Sequence, residues 1–175
     1  SQIYADGYRY QLNEDSFSRQ LCGTDRPGHF TGVLTVVMKL LNLVRPNRAY
    51  FGLKDFQQFT LIKDMCHTFF MPVEIVGCEI VRETDGLAMS SRNRLLTDKG
   101  RQLAGSFNRL LADAASDEHA RQMLEAAGMQ VAYVETVGMR RCGAVVVGEG
   151  DKAVRLIDNV PVDAAEDSLP LWDIA

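Results

Sequence analysis

The sequence lacks the cysteine pairing that marks a zinc module or a disulfide-stapled domain. Its four cysteines, Cys22, Cys66, Cys78 and Cys142, are scattered without a CxxC pair, which argues against both and fits a reducing, cytoplasmic setting. A long apolar run is also missing. The longest, Val33 to Val44, is interrupted by Thr35, Lys39 and Asn42, so it falls short of the roughly 20 apolar residues of a membrane-spanning helix. The opening SQIYADGYRYQLNED has neither the basic start nor the apolar middle of a signal peptide. There is no basic excess: the net charge is −4, whereas coating nucleic acid requires a cationic surface that displaces counterions from phosphates. A small anion held by a few local cations remains compatible with that charge. No GxxxxGK[ST] loop, catalytic triad or metal-ligand spacing is present, so no metal ligand is assigned. Internal repeats and low-complexity segments are absent.

What the sequence has is core material. With 175 residues and 46% hydrophobic content, one ordinary domain and a small second one are expected. RPGHF opens a segment whose apolar residues at 33, 34, 36, 37, 40, 41 and 44 follow helical spacing up to Pro46, so a buried helix is expected over 30–44. RAYFG reads as a strand ending on Gly52. DFQQFTLIKDMCHTFF reads as an amphipathic helix with Asp55 available as N-cap and Phe56, Phe59, Ile62, Met65 and Phe69 on one face. VEIVGCEIV is a second strand. Strand, helix, strand is the unit of a parallel sheet, whose ligands gather at the carboxyl ends of the strands. Beyond residue 97, helices are expected over 98–114 and 117–127, with Gly128 as C-cap. Three strands follow in QVAYVETV, GAVVVG and AVRLID, forming a small α+β unit with an antiparallel sheet.

Two polar clusters lie at the expected strand ends. In GLKDFQQ, Lys54 and the first N–H groups of the following helix could meet one anion, and Asp55 could either cap that helix or accept hydrogen bonds from a sugar diol. In VRETDGLAMSSRNR, the donors of Arg82, Ser90, Ser91 and Arg92 suit phosphate oxygens. The same stretch also suits a solvated loop with Ser90 or Ser91 as an N-cap. His29 of RPGH could face an anion or simply pack, while His67 and His119 sit on ordinary helix faces.

Taken together and in this order, RPGHFTGVLTVVMKLLNLVRPNRAYFGLKDFQQFTLIKDM, DGLAMSSRNRLLT and VRLIDN closely resemble the pantothenate synthetase (pantoate:β-alanine ligase) family over about residues 21 to 160. The MSSR stretch is similar to the KMSKS loop of related nucleotidylyltransferases. The resemblance implies an ATP-dependent, AMP-forming ligase that joins pantoate to β-alanine through a pantoyl adenylate. It implies ATP-binding roles for Gly52, Lys54, Asp55, Val81, Met89, Ser90, Ser91 and Arg92, with Lys54, Ser90, Ser91 and Arg92 nearest the chemistry. Gln58 would contact pantoate, and Arg26 and His29 would lie at the edge of the site. Residues 1–97 would be the C-terminal portion of a Rossmann-like ATP- and pantoate-binding domain, 98–162 a lid-like α+β domain and 163–175 a tail. The family's HxGH-bearing N-terminal segment is not in this sequence. The expectation is therefore of a C-terminal fragment, inactive alone, whose parent is a homodimer and whose magnesium ligands lie in that segment. Leu53 stands where the family usually has glutamate. A different nucleotidylyltransferase and a non-catalytic remnant module are the alternatives.

Overall fold

The computed structural model describes Ile3 and residues 8–162; the tail expected over 163–175 lies outside the described residues. The chain forms two compact units, Ser1–Cys78 and Glu79–Ala175.

In the first unit, a short helix α1 (Cys22–Asp25) precedes α2 (His29–Val44), β1 (Arg48–Gly52), α3 (Phe56–Thr68) and β2 (Glu74–Cys78). Gly28, at φ +77, sets up the start of α2. At the other end Arg45 adopts the left-handed conformation and donates its backbone N–H to the Leu41 carbonyl, and Pro46 then prevents continuation. The strands β1 and β2 pair in parallel from Arg48↔Glu74 to Gly52↔Cys78, the arrangement the strand–helix–strand order predicts. Leu34 and Leu41 of α2 are buried with Leu61, Ile62, Met65 and Cys66 of α3. The buried surface of α2 is narrower than its periodicity predicts, since Leu40 and Val44 are exposed. The face of α3 is also rotated from the expected one. Gln57, Thr60 and Leu61 are buried, whereas Phe69 lies beyond the helix end and is exposed.

Gln57 explains that rotation. Its side-chain oxygen accepts from the Cys22 N–H at 3.1 Å, and its amide donates to the carbonyls of Phe17 and Gln20 at 2.7 and 2.8 Å. One buried amide thus satisfies three backbone groups of the 17–22 segment, which outweighs the hydrophobic bias of the neighbouring phenylalanines.

The second unit contains α4 (Asp98–Ala104), α5 (Phe107–Asp113), α6 (Asp117–Ala126), β3 (Gln130–Val137), β4 (Arg140–Val147) and β5 (Val154–Pro161). The strands form an antiparallel sheet in the order β3-β4-β5. The single helix expected over 98–114 is broken at Gly105, where a Cβ would stand 2.5 Å from an Asp85 carboxylate oxygen. Gly128, at φ +97, ends α6 as expected, with Gly128 N–H bonded to Glu125 and Met129 N–H to Leu124. Phe107, Leu111, Leu124, Val145 and Val147 form the centre of the core, and Leu87 joins them from the polar loop. That loop therefore packs within the second unit, and the units divide earlier than residue 97, the end expected for the first domain.

Candidate functional site

The first cluster is built by the end of β1. Gly52 and Cys78 are register partners at the carboxyl ends of the parallel strands, and the chain turns through a single 3₁₀ turn, Leu53–Asp55, straight into α3. Gly52 is exposed, and a Cβ there would meet nothing within 4 Å, so its backbone is open to approach. Asp55 occupies the N-cap position of α3 yet makes no side-chain cap bond, so its exposed carboxylate is not spent on the helix. Lys54 and Gln58 are half-buried on the same connection. Leu53 turns the other way: its Cδ2 lies 2.8 Å from where a Cβ on Gly77 would be, with Phe59 alongside. Leu53 thus packs over β2.

Arg26 and His29 meet at the start of α2, with Arg26 Nη1 3.1 Å from His29 Nε2. A guanidinium only donates, so in this pair the imidazole accepts at Nε2 and carries its proton on Nδ1.

The second cluster is the loop that follows β2. Val81 and Met89 are joined by a hydrogen bond from the Met89 N–H to the Val81 carbonyl at 2.9 Å, beside a bridge between Arg82 and Ala88. Both side chains are exposed, while Leu87 and Ala88 are buried and anchor the loop. Ser90 caps a 3₁₀ turn, Ser91–Leu95, by accepting from the Arg92 N–H at 3.2 Å. The capping reading therefore holds for Ser90, whose hydroxyl hydrogen is still free to be donated elsewhere. Ser91 and Arg92 are exposed on that turn.

Arg82 does not serve the role its position in the sequence suggested. It makes a two-pronged ion pair with Asp158, at 2.7 and 3.0 Å, and also donates to the Gly86 carbonyl. The Asp158 side chain is fully buried, and such a carboxylate requires a paired cation, so Arg82 holds the loop to β5.

Four further residues of the loop's support, Glu83, Asp85, Asn93 and Arg101, were not singled out from sequence. Arg101 pairs with both Glu83 and Asp85, and Asn93 donates to Glu83 at 2.7 Å and to the Ala88 carbonyl at 3.1 Å. The Asn93 and Arg101 donors hold the Glu83 carboxyl below the usual carboxylate range, and Arg101 does the same for Asp85. Asn93 directly follows the SSR triplet, which was the only sequence signal for it; nothing marked Arg101. Among the described residues, no three His, Cys, Asp or Glu side chains group to hold a metal ion, so a magnesium donor set is not found in them.

The model of the pantoate-beta-alanine ligase family matches residues 1–161. Pantothenate synthetases from Legionella pneumophila (strain Lens) and Bdellovibrio bacteriovorus are 49% and 51% identical to the chain, each over 91% of it. The chain spans 62% of the length of those two relatives. Among solved structures, the pantoate-beta-alanine ligase of Francisella tularensis, complexed with beta-gamma ATP and beta-alanine, matches with a TM-score of 0.80 at 36% identity, over 91% of this chain and 60% of that one. The pantothenate synthetase of Thermus thermophilus matches with a TM-score of 0.78 at 34% identity, over 91% of this chain and 66% of that one. With a family match across nearly all of its length, and relatives that share both its sequence and its fold, this chain belongs to the pantoate-beta-alanine ligase family.

Proposed function

We propose that the chain forms part of an ATP-dependent ligase that condenses pantoate with β-alanine to give pantothenate, AMP and pyrophosphate. The observation that carries this reading is the side-by-side ending of two parallel strands at Gly52 and Cys78, with Lys54 and an uncommitted Asp55 on the connection that follows. In the first step a pantoate carboxylate oxygen attacks the α-phosphorus of ATP, the bond to the bridging oxygen breaks and pyrophosphate leaves. In the second, the β-alanine amine attacks the acyl carbon of the adenylate and AMP leaves with the bonding pair.

Both steps gather negative charge on oxygens already held close together, so the protein's contribution is orientation and cationic stabilisation. In this reading the Gly52 backbone and the Asp55 carboxylate take the ribose. Val81 lines the base, and Met89 belongs to the loop over the phosphates. Lys54, Ser90, Ser91 and Arg92 hold the phosphates, and the half-buried Gln58 orients pantoate. Arg26 and His29 stand at the edge. Ser90 fits its role while capping, because its oxygen accepts from Arg92 N–H and its hydrogen can still be donated. The reading extends to a cytoplasmic, homodimeric parent that binds no nucleic acid. Four cysteines without a disulfide support the compartment, the net charge of −4 supports the last point, and the family resemblance alone supports the dimer.

The test is AMP formation from ATP, measured on this chain and on the chain fused behind the N-terminal part of the Legionella relative. AMP that requires pantoate and reaches full yield only with β-alanine is the expected result in the fusion. Nucleotide transfer that ignores pantoate would point to a different nucleotidylyltransferase, and full activity after Lys54→Ala would remove Lys54 from the chemistry.

A further inference from the structure

The segment Met89–Arg92 is closed at its base. Asn93 donates through its side chain to the Ala88 carbonyl at 3.1 Å, and its backbone N–H bonds the Ser90 carbonyl at 3.1 Å. Ala88 and Asn93 bracket the segment, so these bonds fix its two ends against each other. The second proton of the same amide group goes to Glu83 Oε1 at 2.7 Å, and the other Glu83 oxygen accepts from Arg101 at 2.6 Å. Arg101 sits on α4, whose Ala104 is fully buried in the core. A continuous path of short polar contacts therefore runs from the core helix to the base of the loop.

Asn93 carries this arrangement at a cost. Its side-chain oxygen is buried with no hydrogen-bond partner among the described residues, which is unfavourable for stability. The single planar amide nitrogen of Asn93 donates at once to Glu83 and to the Ala88 carbonyl, so one side chain ties the loop base to the Glu83–Arg101 pair.

Resting on the reading of this loop as the phosphate-holding element, we infer that Glu83 and Asn93 are positioning residues for it, with Arg101 holding Glu83. Neither residue touches ATP. They keep Ser91 and Arg92, whose side chains make no hydrogen bond to the described residues, in one arrangement before the nucleotide arrives. Binding then avoids the ordering entropy that a free loop would lose.

The test uses this chain, with ATP affinity measured by calorimetry and amide exchange followed at Met89 to Arg92 without nucleotide. Asn93→Ala and Glu83→Ala should each weaken ATP by about tenfold, the equivalent of one side-chain hydrogen bond, and speed exchange in those four residues. Glu83→Gln keeps an acceptor oxygen for Asn93 but gives up the Arg101 pair, so its ATP affinity should fall between those of the unaltered chain and Glu83→Ala. Asp117→Ala, which breaks a partly buried pair with Arg141 elsewhere in the unit, should lower Tm and leave ATP affinity within about twofold, since distant sites act independently. Affinity that tracks Tm across all four variants would overturn the inference. If the unaltered chain binds no ATP, the phosphate reading fails for this chain, and exchange alone decides the positioning: unchanged exchange in Asn93→Ala would then sink it.

Discussion

At the scale of single residues, the chain separates cations that hold structure from cations exposed on the surface. Arg82 and Arg92 lie in the same loop and look equivalent in sequence, yet Arg82 is fixed on a fully buried Asp158 whereas Arg92 is exposed. Removing one partner of a buried pair leaves the other charge uncompensated, a loss of about 3 kcal/mol or more. Arg82→Met should therefore lower the unfolding free energy by about 3 kcal/mol in a urea titration. Arg92→Met, made on an exposed side chain, should shift it by less than about 0.5 kcal/mol. Equal shifts would mean that the Asp158 pair contributes nothing special. What hid this division is separation along the chain, since Arg82 and Asp158 are 76 residues apart and no local pattern links them.

At the scale of elements, local periodicity was enough wherever one stripe of side chains decided the packing. The helix at 29–44, the parallel pair β1 and β2, and the three antiparallel strands all follow from apolar spacing and β-branched runs. The polar turn Leu53–Asp55 was legible for the same reason, because strand end, lysine and helix start are contiguous. Periodicity failed where a polar group set the geometry. The Gln57 side chain rotated α3, and the helix expected over 98–114 is interrupted at Gly105, the residue that leaves room for the Asp85 carboxylate held by Arg101. Gly143 of β4 tests how closely α5 sits on the sheet. A Cβ there would lie 2.6 Å from Leu111 Cδ1 and 3.4 Å from Phe107 Cε2, and both side chains are fully buried. Gly143→Ala should cost about 1–3 kcal/mol through overpacking, and adding Leu111→Ala to it should cost less than the two changes separately, because the second makes room for the first. Strict additivity in thermal unfolding would show that α5 shifts freely over β4.

At the scale of the whole chain, the carboxyls that folding holds low among the described residues, Glu83, Asp85 and Asp117, all lie in Glu79–Ala175. Burial pushes the Asp117 carboxyl up, but donors from the Thr136 hydroxyl, Arg141 and the Thr136 N–H outweigh it and leave it below the usual range. Glu83 and Asp85 are also held low, by Asn93 and Arg101 and by Arg101 respectively. A carboxyl lowered on folding stabilises the native state fully above its unfolded value, about 4, and that contribution disappears as pH falls through the folded value. The urea midpoint of this unit should therefore be flat near neutrality and decline below about pH 4. High salt should weaken the share from Glu83 and Asp85, whose side chains remain about a third exposed, because solvent-accessible charges are screened. It should weaken the share from Asp117 less, because Asp117 is itself 34% exposed but its partner Arg141 is only 7% exposed and also satisfies the Leu111 and Ala114 carbonyls. Asp117→Asn should accordingly lower stability at pH 7 yet flatten the acid decline, even at high salt. A variant that loses stability equally at every pH would show that Asp117 acts through its hydrogen bonds to Thr136 alone and that its charge is irrelevant to the acid response.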